Sequence, residues 1–112
     1  MNPSEVVWID FPGVVQTKRR PAVILSSSTY HATRPDMIVG LVTSKTAKST
    51  APTDCLIQDW QAAGLRVPSA FRAFIVTLPR TAVVSTMGTL TRSDWTEVTA
   101  RVKLAIDPLA ST

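Results

Sequence analysis

Two basic residues stand before the most apolar run of the chain, and together they give its clearest chemical signal. Arg19 and Arg20 directly precede the run from Pro21 to Leu25, whose length and composition are typical of one buried β-strand that begins at a proline. A second apolar run, residues 37–42, ends in Thr43-Ser44. If the two strands are neighbours, guanidinium and hydroxyl groups meet at one edge of the sheet. That combination of groups suits a phosphate.

The positive charge is concentrated in the first half of the chain. The net charge at pH 7 is +4. Between residues 13 and 53 there is a single acid, Asp36, and the basic residues are Lys18, Arg19, Arg20, Arg34, Lys45 and Lys48. Such a field attracts polyanions, of which nucleic acid is the leading candidate. The alternative is a solvated basic surface that keeps the protein in solution.

The composition predicts one globular domain over residues 1–112. A hydrophobic fraction of 45% excludes a disordered chain. No apolar stretch has the length of a membrane span and the N-terminus lacks a signal-peptide pattern, so we expect a cytoplasmic protein without a membrane. The single cysteine, Cys55, agrees with a reducing compartment. It lies in a short strand-like run, which is more typical of a buried structural cysteine than of a catalytic thiol.

Apolar runs and turn residues predict a mainly β chain. The expected strands are residues 6–11, 21–27, 37–43, 54–57, 71–78 and 82–87. A loop is expected from Pro12-Gly13 to Arg20, and a mobile loop over the polar residues 44–53. A short helical turn over residues 58–63 would close at Gly64.

One helix is expected near the C-terminus. Thr91 and Asp94 have the spacing of a capping box, and Asp107-Pro108 is expected to end the helix. From Trp95 onward, apolar residues recur mostly at three- and four-residue steps and predict one core-facing stripe: Trp95, Val98, Val102, Ala105, Ile106 and Leu109. Short strands followed by one helix are typical of a small barrel or curled sheet with the helix packed on it.

Several kinds of site are excluded by residue type and spacing. The chain has one histidine, His31, which we expect to be a surface or hydrogen-bonding residue, and its carboxylates do not have metal-ligand spacing. None of its four glycines builds a phosphate-binding loop. We therefore expect neither a metal nor an organic cofactor.

Four motifs in this order resemble those of the MazF/PemK toxins. They are Arg20-Pro21-Ala22-Val23-Ile24-Leu25-Ser26 with Tyr30, Val42-Thr43-Ser44, Ala63-Gly64-Leu65 with Pro68-Ser69, and Met87-Gly88-Thr89-Leu90 before the last helix. The resemblance covers nearly the whole chain. It implies an SH3-like barrel of the MazF/CcdB kind that forms homodimers. It further implies the toxin of a type II toxin–antitoxin system, an endoribonuclease that cuts single-stranded RNA, often mRNA, and that an acidic antitoxin neutralises.

The resemblance also implies site residues. The strand-opening arginine of the family falls on Arg20, the hydroxyl at the end of the next strand on Thr43, and the second arginine of the PemK branch on Arg72. We expect these three to be catalytic. Arg20 would clamp phosphate oxygens, Thr43 would orient the phosphate or the attacking 2′-hydroxyl, and Arg72 would add a positive contact or assist the leaving group. RNA-binding residues are expected in the adjoining flap and loop: Gln16, Thr17, Lys18, Arg19, Ser44, Lys45 and Lys48.

The chain departs from the family at its acidic positions. Phe74 stands where an acid would follow Arg72, and the first long loop lacks a histidine or glutamate, so the general base is unassigned. Besides the ribonuclease, two functions stay open: a non-enzymatic gyrase poison like the CcdB family, and a catalytically silent RNA-binding module. Of the three tryptophans, Trp60 is expected to be free to stack on a base, because Trp8 lies on a strand and Trp95 on the apolar stripe.

Overall fold

The computed structural model describes residues 1–11 and 18–111. Its strands are β1 (Glu5–Phe11), β2 (Lys18–Ile24), β3 (Asp36–Thr43), β4 (Cys55–Ile57), β5 (Ser69–Pro79) and β6 (Val83–Thr89). They form one six-stranded sheet in the order β4-β5-β3-β2-β1-β6, with antiparallel neighbours throughout. The helices are α1 (Ser28–Thr33) and α2 (Arg92–Ile106), and short 3₁₀ helices cover Thr46–Lys48, Arg80–Ala82 and Pro108–Ser111.

The sheet curls, so that both of its faces are buried in hydrophobic clusters. Alternate residues of a strand point to opposite faces. Val6 of β1 pairs with Val23 of β2, and both enter a cluster that α2 covers. The next pair, Val7 and Ala22, enters a second cluster with the start of β3. The prediction of a mainly β, barrel-like fold with a C-terminal helix is therefore confirmed.

Helix α2 begins and ends where the sequence predicts, but its apolar stripe packs on the core only as far as Val102. Val98 is fully buried, and Trp95 and Val102 pack against the same cluster. Ile106 and Leu109 are 69% and 80% exposed, so the prediction that the whole stripe packs on the core is wrong at its C-terminal end. The reason is geometric, since the surface beneath α2 consists of the three-residue strand β4 and the adjoining part of β5.

Two boundaries near the second strand also differ from the prediction. Strand β2 begins at Lys18 and ends at Ile24, so Pro21 lies inside the strand rather than at its start. The chain then forms α1, which the sequence does not predict. Ser27 caps this helix by accepting a hydrogen bond from the Tyr30 N–H. Within the described part of the chain, no helix is long and apolar enough to span a membrane.

Candidate functional site: a basic cavity between strands

An open cavity of about 460 Å³ lies beside the ends of β2 and β3. Its hydroxyl-bearing lining residues are Thr43, Ser44, Ser69 and Ser85. Its basic lining residues are Arg19, Arg20, Lys45 and Arg66. Its other lining residues are apolar: Trp8, Pro21, Val42, Leu65, Val67 and Met87. Cationic and hydroxyl groups above an apolar floor suit a ligand that combines negative charge with flat apolar parts.

The cavity opens where two neighbouring strands stop pairing. Residues 22–24 of β2 pair with residues 39–41 of β3, and the pairing begins at Ala22. Pro21 has no N–H and cannot donate to a strand ladder, which agrees with the pairing ending there. Arg20 and Thr43 each lie two residues beyond the last pair, and both line the cavity. The structure thus brings together the guanidinium and the hydroxyl that the sequence predicts to meet.

Thr43 is held in a defined orientation. It is 9% exposed, and its Oγ1 accepts a hydrogen bond from the Lys45 N–H at 3.1 Å. Because the oxygen uses one lone pair in this bond, the hydroxyl proton remains available to a ligand in the cavity. A β-branched side chain on a strand also has few rotamers, which fixes the hydroxyl further.

The charge of the cavity is largely uncompensated. Among the described residues, Arg20, Lys45 and Arg66 form no ion pair. Arg19 is the exception, since its Nε lies 3.0 Å from Asp10 Oδ1 in a pair exposed to solvent. Exposed pairs of this kind are weak, so Arg19 can exchange Asp10 for another anion. None of the described lining residues is acidic, and their positive charge suits an anion.

Arg72 does not join Arg20 and Thr43 in the cavity, although it pairs with Leu41, two residues before Thr43 on β3. It does not line the cavity, and its Nε lies 4.0 Å from Asp54 Oδ1. Its position is three residues along β5 from Ser69, which does line the cavity. At about 3.4 Å per residue, roughly 10 Å separate the two along the strand. Phe74, at the position of the family's acid, is 56% exposed, with its ring 5.7 Å from that of Phe11.

The predicted RNA-binding residues divide into three groups. Arg19, Ser44 and Lys45 line the cavity. Lys18 and Lys48 are exposed but do not line it. Gln16 and Thr17 lie outside the described residues, and the other two residues of the predicted flap, Lys18 and Arg19, belong to β2. The predicted mobile loop after Thr43 contains the 3₁₀ helix Thr46–Lys48, and Ser49 Oγ donates to the Lys45 carbonyl at 3.0 Å.

Trp8 and Arg66 line the cavity without any sequence signal that predicts it. Trp8 pairs with Pro21 across β1 and β2, so its place beside the site follows only once the strand register is known. The expectation that Trp60 is the free tryptophan is wrong, because Trp60 packs against the α2-covered cluster. His31 is a hydrogen-bonding residue as expected, and its Nε2 contacts the Ser26 hydroxyl.

Cys55 is a buried thiol on β4. Burial raises the pKa of the Cys55 thiol from 9.0 to about 11, against an opposing effect of the Arg101 guanidinium. Cys55 is therefore protonated at neutral pH, and it does not line the basic cavity. Over residues 1–11 and 18–111, no group of three or more His, Cys, Asp or Glu residues is placed to hold a metal ion.

Solved structures share this fold at low sequence identity. A mycobacterial endoribonuclease in complex with its cognate antitoxin superposes with a TM-score of 0.79 at 16% identity, over 96% of each chain. MazF from Deinococcus radiodurans has a TM-score of 0.73 at 22% identity, over 95% of this chain and 96% of the other. The Mycobacterium tuberculosis toxin MazF-mt6 has a TM-score of 0.73 at 17% identity, over 92% and 96%.

The sequence itself also matches a family model over almost its full length. No curated protein sequence matches the chain closely enough to count as a relative. The model of the PemK-like, MazF-like toxins of type II toxin–antitoxin systems matches residues 2–106. That range includes all six strands and the whole of α2. The chain therefore belongs to the family of PemK-like, MazF-like toxins of type II toxin–antitoxin systems.

Proposed function

We propose that this toxin is a metal-independent endoribonuclease that cuts single-stranded RNA, with mRNA as its target in the cytoplasm. The observation that carries the proposal is the meeting of Arg20 and Thr43 in an open basic cavity. Structural relatives described as endoribonucleases support it. No separate observation favours gyrase poisoning or silent RNA binding.

The proposed reaction is attack by a ribose 2′-hydroxyl on the adjacent phosphorus. The 2′-oxygen–phosphorus bond forms, the bond from phosphorus to the 5′-oxygen breaks, and the products are a 2′,3′-cyclic phosphate and a 5′-hydroxyl end. Arg20 is permanently charged and has a planar fork that can hold two phosphate oxygens, so it stabilises the dianionic transition state. Thr43 donates its free hydroxyl proton to the phosphate or orients the 2′-hydroxyl.

Proton transfer in this scheme involves solvent. Among the described residues the lining holds no carboxylate and no imidazole, and we assign removal of the 2′-hydroxyl proton to water in the open cavity. Water likewise returns a proton to the departing 5′-oxygen. Arg72 lies on β5 outside the cavity, and its guanidinium is half-exposed. There it would offer a positive contact to a neighbouring phosphate and so assist the leaving group.

We also propose a protein partner and a homodimer. A cognate antitoxin with an acidic tail would compete with RNA for the same basic cavity, because both ligands present negative charge to the same cations. A structural relative solved with its cognate antitoxin supports this partner. Homodimerisation is inferred from the family, and size-exclusion chromatography with light scattering would test it.

The deciding experiment is incubation of the purified protein with a long single-stranded RNA in EDTA. We expect discrete fragments with 5′-hydroxyl ends. Arg20→Ala should lower the cleavage rate about a hundredfold, as is typical for loss of one preorganised donor to an oxyanion. Arg20→Lys tests whether charge alone suffices, and Arg92→Ala removes an exposed arginine at the start of α2 as the matched control. Intact RNA with a folded wild-type protein would contradict the proposal.

A further inference from the structure

Over residues 1–11 and 18–111, Trp8 is the one aromatic side chain that lines the basic cavity. It lies on β1, and its cross-strand neighbours are Pro21 on β2 and Ser85 on β6. Directly opposed residues of an antiparallel sheet lie side by side on one face. Because both neighbours are small and also line the cavity, they leave the larger indole partly exposed between them. A partly exposed indole in a concave basic surface is a platform for a flat ring.

The floor around Trp8 is apolar and firmly packed. Val42 and Leu65 line the cavity and are 1% and 6% exposed, since both belong to the cluster that α2 covers. Met87 lines the cavity and packs against the same cluster. Trp8 therefore stands where the hydrophobic core meets the cavity. A ligand there is held by contact with flat and apolar surfaces as well as by charge.

Arg66 approaches the same cavity from another element, the segment between Gly64 and β5. Gly64 has φ of +82°, and a Cβ on it would collide with the Met87 carbonyl, so the segment is pressed against β6. The Leu65 N–H donates to the Trp60 carbonyl at 3.0 Å, and Ser69 Oγ donates to the Val67 carbonyl at 2.8 Å. Arg66 is thus an exposed cation on a segment whose two ends, Leu65 and Ser69, are buried.

We infer that Trp8 and Arg66 form a nucleotide subsite, in which the indole stacks on one RNA base and the guanidinium holds the phosphate next to the scissile one. This inference rests on the proposed function and adds to it the binding site of one nucleotide of the RNA substrate. Arg20 and Thr43 hold the scissile phosphate, and the stacked base fixes the strand relative to them. Stacking tolerates every base, so Trp8 contributes affinity and positioning rather than sequence choice.

The test measures binding without cleavage. A short RNA with 2′-O-methyl groups lacks the nucleophile, so its affinity for wild-type protein is measured by fluorescence anisotropy. Trp8→Leu keeps an apolar side chain of moderate size but removes the π-face, and we expect it to weaken binding about tenfold. Trp8→Phe should retain most of the affinity. Arg66→Ala should weaken binding and lower the salt dependence by about one phosphate contact, whereas Arg92→Ala should leave both unchanged.

An abasic scan distinguishes stacking from a merely structural role of Trp8. The same oligonucleotide is prepared with one abasic site, moved along the strand in successive samples. When the abasic site falls at the stacked position, the affinity of the wild-type protein should drop about tenfold. The affinity of Trp8→Leu should not drop further at that position, because this variant has already lost the stacking contact. The wild-type protein should also show quenching of tryptophan fluorescence by the intact oligonucleotide, and Trp8→Phe should lose that quenching.

The outcomes separate the inference from the function on which it rests. Tight RNA binding by wild type with equal binding by folded Trp8→Leu and Arg66→Ala would overturn the subsite and leave the ribonuclease proposal standing. Failure of wild-type protein to bind or cut RNA would overturn both. Quenching by an acidic peptide but not by the oligonucleotide would also overturn the subsite, and would make the cavity a protein-binding surface.

Discussion

Thr43 illustrates how one buried hydroxyl serves both structure and the proposed chemistry. Its oxygen accepts the Lys45 N–H at 3.1 Å while its proton remains free. We expect Thr43→Val to lower RNA cleavage at least tenfold and to reduce the free energy of unfolding by about 1 kcal/mol, because the Lys45 N–H loses its partner. Thr43→Ser should restore both. Cleavage rates and urea denaturation measure the two effects, and unchanged cleavage by a folded Thr43→Val would exclude the residue from the site.

Cys55 gives a prediction for pH. Burial raises the pKa of its thiol from 9.0 to about 11, so the folded state favours the protonated form. The resulting stabilisation is fully present below about pH 9 and is lost as the pH rises through about 11. Alkylation by iodoacetamide should therefore be slow in folded protein at pH 8 and should accelerate only above about pH 10. Fast alkylation at pH 8, matching a urea-unfolded control, would contradict the burial of the thiol.

What the sequence can predict at the residue scale depends on whether a signal is local. Arg20 and Thr43 follow from the motifs in which they stand, and the structure brings them together. Trp8 and Arg66 belong to the same cavity but have no local signal. Trp8 lies there because β1 pairs with β2 in one register, and Arg66 because Gly64 packs on the backbone of β6. Both placements depend on tertiary contacts, which no local stretch of sequence contains.

At the element scale, Asp94 joins α2 to the turn that follows β4. The carboxylate is 2% exposed, and it accepts hydrogen bonds from the Gln58 N–H at 3.0 Å and the Asp59 N–H at 2.8 Å. Its own N–H donates to Thr91, the N-cap. The sequence predicts the capping role of Asp94 but not the two bonds to residues more than thirty positions away.

We expect Asp94→Ala to lower the free energy of unfolding by roughly 2–4 kcal/mol, because two N–H groups lose a charged and buried acceptor. Asp94→Asn retains one carbonyl oxygen and should have a smaller effect. Ser93→Ala, an exposed neighbour on the same helical turn, is the control and should change stability by less than about 0.5 kcal/mol. Urea denaturation measures all three, and equal stability of Asp94→Ala and Ser93→Ala would contradict the joining role.

Helix α1 shows why some elements escape prediction from sequence. Its six residues, Ser28–Thr33, include β-branched and hydroxyl-bearing residues that favour turns or strands. Beyond the Ser27 cap, the helix is held at its end by Arg80, whose Nη2 donates to the carbonyls of His31 and Arg34. Those bonds span more than forty residues, so no local window contains them. The strands and α2, by contrast, are predictable because the spacing of apolar residues within each of them indicates its type.

At the scale of the whole molecule, the cavity is a consequence of how the sheet curls. Two hydrophobic clusters lie on opposite faces of the strands, and the pairing of β2 with β3 ends at Ala22. Beyond that pair, the strand ends carry the Thr43 hydroxyl and two arginines in addition to the apolar Pro21 and Val42. Cations from β2, from the loop after β3 and from the segment before β5 therefore surround one opening. The net charge of +4 adds a long-range attraction for polyanions.

The salt dependence of RNA binding reports how many of these cations engage phosphate. Each phosphate neutralised on a single strand contributes about 0.7 to the slope of log Kd against log salt. Arg20, Lys45 and Arg66 have no partner among the described ion pairs, so three contacts predict a slope of about 2; Arg19 would raise it to about 3 by leaving Asp10. Anisotropy titrations of an uncleavable oligonucleotide at several salt concentrations measure this slope, and Arg20→Ala should lower it by about 0.7.

A slope near zero would show that the cavity cations do not hold the RNA backbone. A slope well above 3 would mean that the strand also contacts cations outside the cavity, of which Lys18, Lys48 and Arg72 are the first to substitute.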